Sequence, residues 1–261
     1  MEGKLSRAES SLKKTSRQIA RDGRGVPLKR ILFFLLGILA FFSLLCSIAA
    51  SCVTNENLMK QGFLQYAQTG HLGVSPSRYG DYAQAICAYL DGKTAVTQVS
   101  DPDTGENKNA FSEKENAHMA DVKGIVTTLK IIRWAGGGAA VGALALLYLK
   151  SREKKSQFLG NAVRGFALAA LCLLLAATGL AIWGAVNFDG LFVTFHKAVF
   201  RNDLWLLNPN TDLLLALMPL NFFIWYAGEM LKSMLPVLGM MLLIIIAFLK
   251  NGKTQKETEA K

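Results

Sequence analysis

The residue types with chemistry to offer are few. The chain holds three histidines, His71, His118 and His196, and four cysteines, Cys46, Cys52, Cys87 and Cys172. Imidazole titrates closest to neutrality, so the histidines are the natural candidates for proton transfer. His196 stands in FDGLFVTFHKAVFRNDLWLL. On a helix it shares a face with Phe192 and Phe200, an apolar wall that favours the neutral imidazole able to act as a base. The plainer reading is a histidine reaching from an interface to water. His118 stands in ENAHMADVKG. If that stretch is helical, Asp121 lies on the same face, where a carboxylate orients an imidazole and favours its protonated form. The plainer reading is an exposed helix face. His71, in QTGHLGVS, reads as a surface loop residue. Lys197 and Arg201, four apart, suit lipid phosphates or simple anchoring at an interface, and Trp205 suits an interfacial anchor. The chain has no GxSxG, HExxH, P-loop or CxxC pattern, so neither a metal nor a cofactor is expected.

The elements that must position these residues are membrane spans. Of the 261 residues, 51% are hydrophobic, yet the net charge is +10. Ile31 to Asn55, Trp134 to Leu149, Gly165 to Phe188 and Ser233 to Leu249 carry no charge. A spanning helix needs about 17–25 such residues. Four spans are therefore expected, at 31–52, 131–149, 165–187 and 233–249. Lys130 and Arg133 can snorkel at the start of the shortest uncharged run. Nine lysines and arginines precede the first span, and others fill the 150–164 loop and the 250–261 tail. By contrast, 53–129 has six basic residues against nine acidic ones. The positive-inside rule then places both termini in the cytoplasm, and 53–130 and 188–232 outside. The excess positive charge needs no nucleic-acid partner.

Only Cys87 lies well inside the outer segment, which excludes a disulfide framework and leaves a Cys52–Cys87 bridge as the one pairing open. The run ending in SIAASC has the outline of a lipoprotein signal peptide with Cys52 as the lipidated residue. Its apolar stretch is too long, and 30 residues precede it, so an uncleaved first span is preferred. The stretch 1–28 reads as a disordered or membrane-surface tail. SPSRYGDYAQAICAYLDG reads as a helix closed by Asp91-Gly92, TAVTQV as a short strand and DPDTGEN as a turn. The stretch from Ser112 reads as a helix running on into the second span, where Gly136, Gly137, Gly138 and Gly142 permit close helix approach. Asp212 is placed to cap the apolar run after it. Leu213 to Lys232 is expected to be an interfacial or re-entrant piece, with Phe222, Phe223, Trp225 and Tyr226 at the interface.

YAQAICAYLDG, FSEKENAHMADVKGI and FHKAVFRNDLWLLNPNTDLLLALMP followed by FF resemble the bacterial four-span family that includes the lipoprotein intramolecular transacylase. The resemblance covers roughly 31–249. It implies an α-helical polytopic membrane protein, with four transmembrane helices and a small α+β extracytoplasmic domain between the first and second. It also implies an activity at the outer membrane face, in which an acyl chain moves from the diacylglyceryl ester of a lipoprotein's N-terminal cysteine to that cysteine's α-amine. Membrane lipids and diacylated bacterial lipoproteins are the implied partners. The family's two motif histidines fall on His118 and His196, and Asp121, Lys123, Trp205 and Asp212 match further motif positions.

This chemistry suits the residues. The α-amine has an ordinary pKa near 7.7–8.0, so a base need only take its proton as it attacks the ester. Holding amine and ester in one molecule supplies much of the acceleration. The expectation is His196 as base and His118, supported by Asp121, as acid or oxyanion partner, with the reverse assignment and an acyl-histidine route left open. Lys123, Lys197, Arg201, Trp205 and Asp212 are the expected substrate-binding residues. Two other classes compete: a non-catalytic membrane protein whose outer domain binds an envelope partner, and a histidine-dependent ester or peptide hydrolase.

Overall fold

The computed structural model describes residues 28–101, 104–151 and 154–259, with side chains to 250. The basic stretch 1–27 lies outside the described residues. Helix α1 (Leu28–Val53) is followed by α2 (Glu56–Tyr66) and two single 3₁₀ turns, Gly70–Leu72 and Pro76–Arg78. Helix α3 (Tyr79–Asp91) ends where Gly92, at φ +85°, takes the left-handed conformation that closes a helix. Strands β1 (Gln98–Ser100) and β2 (Asn107–Asn109) form an antiparallel hairpin with Val99 opposite Lys108. Helix α4 (Glu113–Ile131) passes through a π-helical turn, Ile132–Gly136, into α5 (Gly137–Lys150). Helices α6 (Lys155–Val186), α7 (Phe188–Val199), α8 (Leu213–Leu217) and α9 (Leu220–Glu259) complete the described chain.

Four stretches are long and apolar enough to cross a membrane: Leu28–Val53, Glu113–Lys150, Lys155–Val186 and Leu220–Lys250. Their bundle is centred on Phe41, Ala169, Ala170 and Met241, from α1, α6 and α9. Many outward side chains, such as Leu149, Val186 and Leu243, are exposed, as lipid-facing positions must be. Helices α1 and α6 touch most closely at Gly165, where a Cβ would stand 2.4 Å from that of Phe33. Of the four glycines singled out in α5 and the turn before it, only Gly136 is in such contact, against Ser43 Oγ. Gly138 and Gly142 face open space.

The residues from α2 to the polar first half of α4, ahead of the apolar part of the second stretch, build a second core from Phe63, Tyr79, Ala83, Ile86, Phe111 and Met119. Leu214, Leu217, Phe222 and Tyr226 join it from far along the chain. This changes the reading of 213–232. Instead of an interfacial piece ending at Lys232 and a separate span, α9 runs unbroken past Lys232 and through Pro236. Phe222 and Tyr226 are buried in this core, and the Tyr226 hydroxyl donates to the Cys52 carbonyl at 2.6 Å. Helix α2 carries the partner surface: a Cβ on Gly62 would collide with the Phe222 ring. The four cysteines are free, so the Cys52–Cys87 bridge is not formed.

Candidate active site

Helix α4 brings His118 into this core one turn after its start. The start is a capping box: Ser112 Oγ accepts from the Glu115 N–H, and Glu115 Oε2 accepts from the Ser112 N–H at 2.8 Å. The buried Glu115 carboxylate also accepts the Leu214 N–H at 2.6 Å, joining the start of α4 to the start of α8. Helix α7 brings His196. Its start is capped by Asn187, whose Oδ1 accepts from the Gly190 N–H at 2.8 Å. It ends where Phe200 turns extended, with the Phe200 N–H still bonded to the His196 carbonyl.

Both imidazoles are buried, and their ring centroids lie 6.3 Å apart. Phe200 touches both, at 5.2 Å from His118 and 5.4 Å from His196. Phe192 and Trp205 close the other sides of His196, at 4.1 Å and 5.0 Å. His196 Nδ1 lies 2.7 Å from the Phe192 carbonyl oxygen. A carbonyl only accepts, so Nδ1 carries the hydrogen and Nε2 keeps its lone pair in the neutral ring. His118 Nδ1 is buried without a hydrogen-bond partner.

The electrostatics favour neutral rings. Burial pushes the His118 pKa down to about 4, and the neighbouring His196 pushes the same way against a smaller opposing pull from Asp121. Burial lowers His196 as well, opposed by its bond to the Phe192 carbonyl. Near pH 7 the site therefore holds two neutral imidazoles, one with a directed lone pair.

The other expected site residues divide. Trp205 lies tilted against His196. Asp121 does not bond His118 Nδ1; it accepts from Asn202 Nδ2 at 2.9 Å and so ties α4 to the chain after α7. Lys197 and Arg201 are exposed and, with Trp205, line an open depression of about 540 Å³ beside the histidines. Lys123 is turned away, its ammonium 3.1 Å from the Thr94 carbonyl and 4.2 Å from the Tyr89 ring centre. Asp212 occupies the cap position of α8 but makes no cap bond; Oδ2 accepts from the Asn208 N–H at 2.7 Å and closes the turn between them. His71 is the surface loop residue expected, with Nε2 donating to the Pro209 carbonyl at 3.0 Å. Glu115 and Asn202 escaped the sequence reading. The Ser112–Glu115 spacing of a capping box was a usable signal for Glu115. For Asn202 there was none. Among the described residues no three His, Cys, Asp or Glu side chains converge to hold a metal ion.

A family model described as lipoprotein intramolecular transacylase Lit matches residues 33–223. The chain belongs to the Lit family. That stretch contains both histidines, most of the second core and the first turn of α9. Three solved structures of the membrane integral Lit from Bacillus cereus share the fold. One is 21% identical with a TM-score of 0.60 and covers 87% of this chain and 98% of its own. Another, with a histidine replaced by arginine, is 20% identical with a TM-score of 0.57, covering 94% and 99%. A third, with a histidine replaced by alanine, is 20% identical with a TM-score of 0.55, covering 92% and 99%. No curated protein sequence matches. The chain is thus a multi-pass membrane protein of the Lit type, resembling lipoprotein transacylases.

Proposed function

We propose that this chain transfers an acyl group within diacylated lipoproteins, from the glyceryl ester of the N-terminal cysteine to its own α-amine, giving the lyso form. The observation that carries the reading is the pair of buried neutral imidazoles 6.3 Å apart in a member of the Lit family. A hydrogen bond spans about 3 Å, so one reacting group between the rings can be reached from both.

His196 is the base. As the amine nitrogen attacks the ester carbon, Nε2 takes its proton. The resulting imidazolium returns that proton to the glycerol oxygen as the carbon–oxygen bond breaks. A new carbon–nitrogen bond replaces the ester bond, and no further reactant is consumed. His118 does not enter as a cationic acid, because burial keeps it neutral. Its role is an N–H donor to the oxyanion, preorganised in a dry wall where such a bond is most effective. Asp121 acts through Asn202, holding the chain after α7 against α4. Lys123 and Asp212 serve the frame rather than the substrate.

The proposed setting is the bacterial cytoplasmic membrane, with both termini cytoplasmic and the histidines facing outward, as the lysine and arginine distribution favours. The test is mass spectrometry of lipoprotein N-termini from cells producing the protein. Conversion of diacyl to lyso N-termini is expected. Unchanged N-termini with folded protein in the membrane would sink the reading and favour a non-catalytic role.

A further inference from the structure

The diacylglyceryl cysteine carries no phosphate, yet the depression beside His196 presents two exposed cations, Lys197 and Arg201, that form no ion pair among the described residues. Arg78, Lys93, Lys108, Lys130 and Lys232 each meet a carboxylate. Among the described residues, Lys197 and Arg201 meet none, as is also true of Lys60, Lys114 and Lys123; what sets the two apart is that both line one recess. Asn202 and Asp203 also line the depression, and Phe200 and Trp205 form its aromatic side. Asn202 spends its amide on Asp121. Asp203 offsets one of the two cations, leaving a net positive recess. Lys114 stands at the rim with its ammonium on the Leu206 carbonyl at 2.6 Å, adding a third positive charge nearby.

The geometry points to a binding site for the phosphate of a membrane phospholipid, with the phosphodiester at Lys197 and Arg201 and the glycerol over Phe200 and Trp205. A guanidinium and an ammonium four residues apart suit phosphate oxygens, the first as a fork and the second as a point charge. Phe200 and Trp205 give the open recess one apolar wall, against which a glycerol backbone can lie. Helix α7 favours a lipid over free phosphate. Its exposed Phe195 and Val199 lie on one flank and Lys197 on the other, as expected of a helix in the membrane–water boundary. The recess then opens at headgroup depth. Because Phe200 and Trp205 also touch His196, the bound phospholipid abuts the imidazole pair.

Binding is read without any acyl transfer, so this inference and the proposed reaction fail separately. The full-length protein in neutral maltoside micelles is titrated with dioctanoyl phosphatidylglycerol and, in parallel, dioctanoylglycerol, and bound species are counted by native mass spectrometry. The phosphate-bearing lipid is expected to bind about tenfold more tightly or better. The Lys197→Gln/Arg201→Gln double variant loses that preference, and the Lys197→Arg/Arg201→Lys double variant keeps it. A Lys60→Gln/Lys93→Gln double variant, lacking two remote charges, also keeps it. Equal binding of the two lipids overturns the site, as does full preference in the Gln variant. Complete displacement of the lipid by millimolar inorganic phosphate overturns the lipid assignment; retention of the lipid supports it.

Discussion

The depressed His118 pKa makes the fold acid-sensitive in a way that one substitution isolates. His118 is 8% exposed and its pKa is held to about 4, while an unfolded histidine titrates near 6.5. The folded state therefore binds its proton later than the unfolded state does. Above the unfolded pKa both forms are neutral and His118 costs nothing. As pH falls from about 6.5 towards about 4, the unfolded chain gains a proton that the folded chain refuses, and stability is lost. Between about pH 7.5 and about pH 5 the loss attributable to His118 is on the order of 2 kcal/mol. For a chain of this size that is about 5 °C in apparent Tm. The assay compares thermal unfolding of wild type and His118→Asn in detergent at the two pH values. Other titrating groups contribute equally to both proteins, so the difference reports His118. The variant should lose about 5 °C less on acidification. Equal losses would mean that His118 is not held neutral by burial, and the oxyanion role assigned to its neutral form would go with it.

Three further outcomes follow from the same geometry. His196→Gln should lower lyso-lipoprotein formation by about 10²–10⁴, the range for removing a general base, and His118→Ala by about 10²–10³, the range for one oxyanion donor; intact-mass measurement of a purified lipoprotein checks both. Glu115→Ala removes the capping box and leaves the Leu214 N–H buried without an acceptor, at a cost of about 2–4 kcal/mol seen as a lowered Tm, with Glu115→Gln milder. Gly165→Leu should sharply reduce the yield of folded protein on size-exclusion chromatography, because even a Cβ there would stand 2.8 Å from the Phe33 carbonyl carbon.

The spans were legible because burial in lipid imposes a one-dimensional rule: about 20 uncharged residues in a row. The helix at 79–91, closed by Gly92, was legible because its periodicity and turn residues are local. The histidines were singled out by rarity and by their apolar neighbours, and the motifs around them carried the family. The boundary expected at Lys232 is absent for a physical reason. A run of Phe222, Phe223, Trp225 and Tyr226 looks the same whether it meets headgroups or a protein core, and only the partner surface on α2 and the end of α1 decides between them. The glycines at and before the start of α5 show the same limit, since small residues permit contact without naming the helix that makes it.

By itself, the sequence determined the number of spans, the two imidazoles and the family, each encoded in local composition or in short motifs. The tertiary structure alone decided that residues 78 positions apart face each other across 6.3 Å. It also decided that the Phe192 carbonyl sets the tautomer of His196, and that Asp121 serves Asn202 rather than His118. These depend on where the ends of α4 and α7 meet, with Phe200 against both rings and Phe192 against Phe223 in the first turn of α9. Hydrophobic burial is non-directional, so a sequence states that a wall will be apolar while only the packed fold states which side chains stand against it.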